Sequence, residues 1–364
     1  MKVVLSVFGT RPEAIKMAPV LQRLAREPGL RSLVCVTAQH REMLDQVLRL
    51  FDIRPDHDLD LMRDGQTLTG VTAGALTRLE PYLREQKPDL LLVQGDTTTT
   101  MAATLAAFYA RVPVGHVEAG LRTGDPAYPY PEEVNRRVTS AIAAHHFAPT
   151  ERARQNLLRE GVADGAIAVT GNTVIDALLQ TVASPGPMPP LSRRGRRMIL
   201  VTAHRRENFG APMGEIFDAL KAIAARWQDV DIVYPVHRNP NVNGPARAAL
   251  TGVAGIHLLD PADYKTFCDL MNASTLILTD SGGIQEEAPS LGKPVLVLRD
   301  ETERPEAVEA GVVRLVGPHR DAIVANTAEL LDDPKAYAAM ASRINPYGDG
   351  HAAERIVARV REVL

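Results

Sequence analysis

The residues with the clearest chemical potential lie in segment 279–287, where a mostly apolar stretch leads into Ser281, Gly282 and Gly283. Glycines have no Cβ, so their backbone can approach a ligand closely. A helix that begins here also offers unpaired N–H groups and the positive end of its dipole. The pattern favours a phosphate site, although a serine N-cap followed by acidic helix-start residues is the alternative.

Two carboxylates, Glu286 and Glu287, follow the glycines within about one helical turn. A carboxylate next to a phosphate would repel it, unless the carboxylate accepts hydrogen bonds from the hydroxyls of a sugar. The sequence therefore predicts a nucleotide, with its ribose beside Glu287.

Polar and charged residues follow most of the other apolar stretches as well. In open parallel sheets, ligands bind outside the carboxyl ends of the strands, and charges are rarely buried without a partner. The sequence therefore predicts one active site made by converging strand ends. The alternative, that the strands simply stop where polar loops begin, would explain only one or two of these polar strand ends. The stretches concerned are 9–11, 39–41, 95–96, 116–118, 204–207, 237–238, 280–281 and 299–304.

Several carboxylates near one edge of a sheet could divide the roles of acid and base. Asp96 and Glu118 end two successive strands, and Glu132 stands at a proline-defined helix start with Arg136 one turn later. Lys16 lies one turn into the first helix and could point toward the same edge. The alternatives are a solvated lysine and an i,i+4 surface pair of Glu132 with Arg136.

His204 stands next to two arginines, which should keep its imidazole neutral and able to bind phosphate or move a proton. The alternative to a functional role is a histidine in a loop whose hydrogen bonds are made within the protein. Arg304 suits a bidentate phosphate contact, or a surface pair with its acidic neighbours.

Metal and nicotinamide sites are not expected. Segment 56–60 has an Asp-x-Asp pattern, but Leu61 replaces the glycine of a calcium loop and the segment is not predicted to end a strand. Neither GxGxxG nor GxxxxGK[ST] occurs, which disfavours dinucleotides and P-loop chemistry. We therefore expect no cofactor and no metal.

Short Val/Ile/Leu-rich stretches alternate with helical ones, which predicts an α/β protein with parallel sheets covered on both faces. The proline-rich segment 183–190 separates two such series. We predict two doubly wound, Rossmann-like domains facing a cleft, at 1–182 and 198–346, with a linker at 183–197 and a final helix within 347–364. The predicted strands are 3–8, 32–37, 90–94, 112–117, 145–148, 198–202, 231–235, 256–259, 276–279, 294–298 and 313–316.

The composition limits which classes of binding partner and which cellular compartment are expected. The net charge of −3, from 41 basic and 44 acidic residues, gives no reason to expect nucleic acid or an anionic membrane as a partner. No stretch reaches the ~18 apolar residues of a membrane helix. Two cysteines without CxxC spacing, and no signal-peptide pattern, predict a cytoplasmic protein.

Seven motifs in order along the chain resemble the non-hydrolysing UDP-N-acetylglucosamine 2-epimerases. They are FGTRPE (8–13), QGDT (94–97), HVEAGLR (116–122), PEEVNR (131–136), TAHRREN (202–208), DSGGIQEE (280–287) and TERPE (302–306).

The resemblance implies a B-type glycosyltransferase fold whose final helix returns to the first domain, and a homodimer. It implies an isomerase that interconverts UDP-GlcNAc and UDP-ManNAc for cell-surface polysaccharide synthesis. In such enzymes UDP leaves C1 as the C2 proton is removed, and it re-adds to 2-acetamidoglucal. UDP-binding residues would be Arg11, Ser281, Gly282, Gly283, Glu287 and Arg304. Residues around the sugar ring would be Lys16, Asp96, Glu118, Glu132, Arg136 and His204. A second, activating substrate molecule would bind near Gln39, His40, Arg205 and His237.

Three other functions remain open at this stage. A glycosyltransferase of the same fold would need an acceptor, and a hydrolysing epimerase would release ManNAc and UDP. A nucleotide-sugar sensor would tolerate loss of Asp96 and Glu118.

Overall fold

The structure, a computed structural model, describes residues 1–38, 41–63, 65–187 and 195–364. The chain divides into two compact units, one made of Met1–Ala177 with Tyr347–Leu364 and the other of Leu178–Pro346. We call them unit 1 and unit 2. The boundary after Ala177 falls inside a helix, Thr173–Val182. Residues 188–194 of the predicted linker lie outside the described residues, and Arg197 already belongs to the first strand of unit 2.

Unit 1 contains a seven-stranded, all-parallel sheet in the order β3-β2-β1-β4-β5-β6-β7. Its strands are β1 Lys2–Phe8, β2 Leu30–Val36, β3 His57–Asp58, β4 Leu90–Gln94, β5 Val114–Val117, β6 His145–Ala148 and β7 Ile167–Val169. Its helices are α1 Arg11–Leu24, α2 Arg41–Leu50, α3 Leu68–Gln86, α4 Thr98–Tyr109, α5 Glu132–Ile142, α6 Glu151–Arg159, α7 Thr173–Val182, which runs into unit 2, and α15 Ala352–Val363.

Unit 2 contains a six-stranded, all-parallel sheet in the order β10-β9-β8-β11-β12-β13. Its strands are β8 Arg197–Thr202, β9 Val230–Pro235, β10 Ile256–Leu259, β11 Leu276–Thr279, β12 Val295–Val297 and β13 Val313–Leu315. Its helices are α8 Ala211–Arg226, α9 Pro240–Leu250, α10 Tyr264–Ala273, α11 Gly282–Glu287, α12 Pro305–Glu309, α13 Arg320–Asp332 and α14 Pro334–Ala341. The prediction of two doubly wound parallel-sheet domains is confirmed.

All predicted strands occur, and their observed bounds differ from the predicted ones by at most two residues. The sequence analysis missed two short edge strands, β3 and β7. The expectation that segment 56–60 ends no strand was wrong, because His57 and Asp58 pair with Cys35 and Val36 of β2. Strands of two or three residues are too short to show a period, which is why the pattern did not reveal them.

Each sheet reverses its strand order beside its first strand, and this switch point decides where ligands can bind. In unit 1 the order changes between β1 and β4, so their carboxyl ends bring the loops at Gly9 and Gly95 together. In unit 2 it changes between β8 and β11, which brings the loop at His204 next to Asp280. The central strands are buried on both faces, so only the strand ends can offer polar groups to a ligand.

The last helix, α15, belongs to unit 1 and packs against α1. Asp176 caps its N-terminus, because its two carboxylate oxygens accept the N–H groups of Ala352 (3.2 Å) and Ala353 (2.8 Å). The favourable end of the helix dipole faces this carboxylate. Arg355 adds a hydrogen bond from its guanidinium to the Thr170 carbonyl at 3.0 Å. Residues far apart in the chain are thereby joined into one unit.

Gly120 and Gly124 provide a matched test of packing near the end of β5. Both have a left-handed backbone, with φ of +90° and +86°. A Cβ on Gly120 would lie 2.3 Å from the carbonyl oxygen of Ala153, whereas a Cβ on Gly124 would meet nothing within 4 Å. We expect Gly120→Ala to lower the free energy of unfolding by about 3 kcal/mol, as backbone strain and overpacking add.

Gly124→Ala should cost only the backbone term, about 1 kcal/mol. Urea unfolding followed by circular dichroism measures both values. Equal losses in the two variants would mean that the contact with Ala153 does not constrain this turn.

Candidate active site

Glu118 is a buried carboxylate at the carboxyl end of β5, and only 6% of its side chain is exposed. The ammonium group of Lys16 on α1 lies 2.5 Å from Oε1, which also accepts a hydrogen bond from the Asn172 amide at 2.9 Å. The Gln94 amide donates to the other oxygen, Oε2. Glu118 has φ of +63°, an unusual backbone for a residue with a side chain, and such strain persists only where the surroundings enforce it.

Asp96, at the end of the neighbouring strand β4, is paired with Arg136 of α5 at 2.5 Å. The same guanidinium lies 3.2 Å from Glu133, which is fully buried. The sequence analysis considered Glu132 as the partner of Arg136, but the pairing falls on Glu133 instead. Glu133 also accepts backbone N–H groups of the loop at Thr123, so it fixes both the loop and the arginine.

The carboxylate of Glu132, the residue before Glu133, differs from that of Glu133 in its hydrogen bonding. Its Oε2 atom is buried and has no hydrogen-bond partner among the described residues. A buried carboxylate oxygen without a donor is costly, so this atom calls for a donor that the described residues do not supply.

Glu13 connects the loops that follow β1 and β4. Its side chain is fully buried and accepts the N–H groups of Gly9 (3.0 Å) and Thr10 (2.7 Å) and the hydroxyls of Thr97 (2.7 Å) and Thr100 (3.1 Å). Burial raises the pKa of this carboxyl, and the hydrogen bonds from Thr97, Thr10 and Gly9 oppose that rise. The two loops are therefore fixed relative to each other at the switch point of unit 1.

Arg11 stands at the start of α1 directly after this loop and is partly exposed. Gly9, two residues earlier, has no room for a side chain, because a Cβ would lie 2.0 Å from the Thr37 hydroxyl and 2.7 Å from that of Thr99. The glycine is therefore required by packing within unit 1.

His116 supports the same edge of the sheet from within β5. It is fully buried, and its Nε2 lies 2.7 Å from the Gly95 carbonyl oxygen. Burial lowers the pKa of His116 to about 3, and the nearby His146 and Arg122 lower it further. The ring is therefore neutral at pH 7, and its Nε2–H donates to Gly95.

Asp280 organises the switch point of unit 2. This fully buried carboxylate accepts the backbone N–H groups of His204 (2.8 Å) and Arg205 (2.8 Å) and the side-chain amide of Asn208 (3.1 Å), all on Oδ2. Its other oxygen lies 3.5 Å from Nδ1 of His204. The loop after β8 is thus fixed to the end of β11.

His204 is partly exposed at this edge, and its ring stacks on that of His237 with centroids 5.3 Å apart. Burial lowers the pKa of His204, the charges of His237 and Arg205 act in the same direction, and Asp280 opposes them. Arg205 and His237, which were predicted as regulatory residues, therefore lie around His204. Gln39 and His40, the other two, lie outside the described residues.

Ser281, Gly282 and Gly283 form the start of α11, as predicted. The Ser281 N–H donates to the Thr279 hydroxyl at 3.0 Å. A Cβ on Gly282 would lie 3.6 Å from Arg205, and a Cβ on Gly283 would lie 3.5 Å from Glu287. These are ordinary van der Waals distances, and neither residue has positive φ. The folding of unit 2 therefore does not require either glycine.

Arg304 contacts Glu286, the residue before the predicted ribose partner Glu287. Asn345 donates to the Glu286 carbonyl at 2.6 Å and thereby fixes the end of α11. Arg304 is therefore already oriented by a buried carboxylate, a charge-assisted pairing that the sequence had left open.

The described ranges contain no cluster of three or more His, Cys, Asp or Glu side chains that could hold a metal ion. Within the same ranges no helix is long and apolar enough to cross a membrane. Cys35 and Cys268 are both free and buried.

Comparison with known proteins identifies the family. The sequence profile described as UDP-N-acetylglucosamine 2-epimerase matches residues 22–361. An Escherichia coli K12 protein named UDP-N-acetylglucosamine 2-epimerase is 59% identical over 364 residues, which covers 97% of each chain. The chain belongs to the UDP-N-acetylglucosamine 2-epimerase family.

Solved structures of UDP-N-acetylglucosamine 2-epimerases share this fold. The chain matches a crystal structure of a putative UDP-N-acetylglucosamine 2-epimerase from Listeria monocytogenes with a TM-score of 0.95 and 49% identity, over 100% of this chain and 97% of the other. It also matches the Neisseria meningitidis UDP-GlcNAc 2-epimerase bound to UDP-GlcNAc, with a TM-score of 0.88 and 49% identity over 99% and 100% of the chains. The predicted B-type glycosyltransferase class of fold is thereby confirmed.

Sequence reasoning missed the positioning roles of four residues. Gln94, Glu133 and Asn172 hold candidate site residues in unit 1, and Asp280 holds the His204 loop in unit 2. Gln94, Glu133 and Asp280 lie inside motifs that were recognised, but their side chains face the protein and not the expected ligand. Asn172 follows β7, the strand that was missed, so no strand-end signal pointed to it.

The buried His116 predicts how stability responds to acid. Because its pKa in the folded chain lies below the usual 6.5, only the unfolded chain takes up a proton as pH falls below about 6.5. We expect the free energy of unfolding to fall by up to about 1.4 kcal/mol per pH unit more in the wild type than in His116→Gln, between pH 6 and about pH 4.

Urea unfolding at pH 7, 6 and 5 measures this difference in slope. His146, whose pKa is lowered to about 4 by burial, remains in both proteins and contributes equally to both curves. Parallel curves would contradict a neutral, buried His116.

Proposed function

We propose that this chain interconverts UDP-GlcNAc and UDP-ManNAc by elimination and re-addition of UDP through 2-acetamidoglucal. The observation that carries the proposal is Glu118, a buried carboxylate held by Lys16, Gln94 and Asn172 at a ligand-binding edge of the sheet. Membership in the epimerase family and the UDP-GlcNAc complex of the N. meningitidis relative support the choice of substrate.

The chemistry explains why several charged groups are needed. The C2–H of the sugar is not adjacent to a carbonyl, so a base alone is too weak to remove the proton. The departing diphosphate must be stabilised by cations or N–H donors at the same time. Return of a proton to the opposite face of C2 then needs a second group.

Three carboxylates of unit 1 are proposed for these proton transfers: Glu118, Asp96 and Glu132. Their surroundings differ, and unequal surroundings are what separate acid from base. Glu118 has a lysine and two amides, Asp96 has the Arg136 guanidinium, and Glu132 has a buried oxygen without a described partner. The roles of Lys16 and Arg136 are to orient these carboxylates and to balance their charge.

The nucleotide is assigned to unit 2. Neither packing nor backbone conformation requires glycine at positions 282 and 283. We therefore attribute these two glycines to the close approach of a phosphate to the backbone. Ser281 and the N–H groups at the start of α11 would donate to that phosphate, and Glu287 would accept from the ribose. Arg304 and Arg11 would supply positive charge, and His204, neutral at pH 7, would donate or accept one hydrogen bond.

Regulation by a second nucleotide sugar is proposed near Gln39, His40, Arg205 and His237. The stacking of His237 on His204 supports it, because a ligand that contacts His237 would also reach the edge of the candidate site.

A homodimer is proposed as the assembly. Helices α3 and α4 of unit 1 form an open groove of about 300 Å³, lined partly by Leu76 and Tyr109, and Phe108 and Tyr109 are exposed beside it. Light scattering measures the mass of the assembly, and a monomer mass would contradict this proposal. The two free, buried cysteines fit the proposed cytoplasmic location, and the product would feed cell-surface polysaccharide synthesis.

Proton NMR of UDP-GlcNAc in D2O, without added nucleotide cofactor, metal or acceptor, tests the reaction. We expect UDP-ManNAc to appear with deuterium at C2 of both sugars. Free ManNAc with UDP would indicate a hydrolysing enzyme, and an unchanged substrate would favour a glycosyltransferase or a sensor.

The same assay tests the carboxylates. Glu118→Gln and Asp96→Asn should each lower kcat by about 10²-fold or more, since each removes a proposed proton-transfer group, while UDP affinity stays within about threefold. Glu85→Gln, at the exposed end of α3, is the control and should match the wild type. Full activity in Glu118→Gln would contradict the assignment.

Gly283→Ala separates ligand binding from folding. The added Cβ meets only ordinary contacts, so the free energy of unfolding should stay constant or rise by up to about 1 kcal/mol, as alanine favours a helix. UDP affinity measured by calorimetry should fall about 10-fold or more, because the methyl group occupies the approach to the phosphate.

Gly214→Ala in α8 is the matched control, because a Cβ there meets nothing within 4 Å. It should change stability in the same direction and leave UDP affinity unchanged. Unaltered UDP binding by Gly283→Ala would place the nucleotide elsewhere.

A further inference from the structure

We infer that Asn172 is a positioning residue that holds the Glu118 carboxylate ionised and in one orientation for proton transfer at C2. The inference rests on the proposed function, because it assigns Glu118 to that step. Asn172 lies between β7 and α7, outside every motif that identified the family.

The Asn172 side chain is fixed in one orientation. It is buried, and its Oδ1 accepts the N–H of Val174 at 3.1 Å. An amide whose oxygen is occupied by a backbone donor must present its NH2 group on the other side. That group donates to Glu118 Oε1 at 2.9 Å.

The backbone of Asn172 is fixed as well. Its N–H donates to the Tyr347 carbonyl at 2.7 Å, where the chain returns to unit 1. The residue is therefore held on its backbone and on its side-chain oxygen, and it can deliver the amide without reorganisation.

Lys16 and Asn172 act on the same oxygen but differ in rigidity. Lys16 reaches Glu118 on a four-carbon stem, and 19% of its side chain is exposed. A flexible cation balances charge but sets orientation weakly, whereas a planar amide fixed at its oxygen sets direction. Gln94 acts on the opposite oxygen, so the carboxylate is held from both sides.

Hydrogen bonds to a carboxylate favour its charged form. Removal of the Asn172 amide should therefore make Glu118 take up a proton at higher pH and let its plane rotate. Both effects lower the fraction of enzyme with a competent base, and neither changes the groups proposed to bind UDP.

A purely structural role of Asn172 would include its cap on Val174. Asn172→Ser separates the two roles, because a serine hydroxyl can accept the same N–H in an equivalent turn but is too short to reach Glu118. Asn172→Asp also retains the cap and places a second carboxylate where the donor was, which opposes ionisation of Glu118.

The test measures kcat and KM for UDP-GlcNAc from pH 5 to 9. We expect Asn172→Ser to lower kcat about 10-fold and to move the acid limb of the kcat profile up by about one pH unit, with KM and UDP affinity unchanged. Asn172→Asp should move the limb further. Asn156→Ser is the matched control, since the Asn156 amide donates at 2.9 Å to a backbone carbonyl, that of Gly120, in the same unit. Asn156→Ser should leave the acid limb of the kcat profile in place.

A second readout does not require turnover. In protein labelled with ¹³C at the glutamate carboxyl carbons, the Glu118 signal is the one lost in Glu118→Gln. Its titration midpoint should lie at higher pH in Asn172→Ser than in the wild type. If that midpoint and the acid limb both stay in place, Asn172 does not govern the ionisation of Glu118 and the inference fails. A wild type without epimerase activity would instead overturn the proposed function, and the carbon titration would still decide whether Asn172 holds Glu118.

Discussion

Taking a carboxylate out of water costs on the order of several kcal/mol unless donors replace the lost solvent, and three carboxylates here impose that constraint. Glu118, Asp280 and Glu13 are each nearly inaccessible and each accepts three or more hydrogen bonds or ion pairs. Glu13 and Asp280 lie where a sheet reverses its strand order, and Glu118 lies at the end of β5, the strand next to β4. The loops at these edges therefore have little conformational freedom, because each must present its donors to a fixed carboxylate.

The three carboxylates accept hydrogen bonds from different kinds of donor. Asp280 and Glu13 take several of their hydrogen bonds from backbone N–H groups, which cannot change without refolding the loop. The described hydrogen bonds to Glu118 come from the side chains of Lys16, Gln94 and Asn172. Asp280 and Glu13 each fix the loops of their own unit, whereas Glu118 is the one of the three that we propose transfers a proton.

Strand positions were predictable because a buried parallel strand is a short apolar run bounded by breakers. The run 276–279 matches β11 in both bounds. Residues 57–58 and 167–169 gave no such run, so β3 and β7 were missed and Asn172 with them. The motifs marked which loops carry chemistry, but not which of two adjacent carboxylates faces inward. Glu132 and Glu133 differ by one position of 100° on a helix, and only tertiary packing decides that Glu133 meets Arg136.

The cap that Asp176 places on α15 has a consequence for synthesis on the ribosome. Unit 1 needs residues 347–364, whereas unit 2 is one uninterrupted stretch, Leu178–Pro346. Domains usually fold as they emerge, in order from the N-terminus. Here the nascent chain has every residue of unit 2 available before unit 1 can close, so the N-terminal half must wait, with the α1 face that receives α15 uncovered, while its C-terminal neighbour is translated.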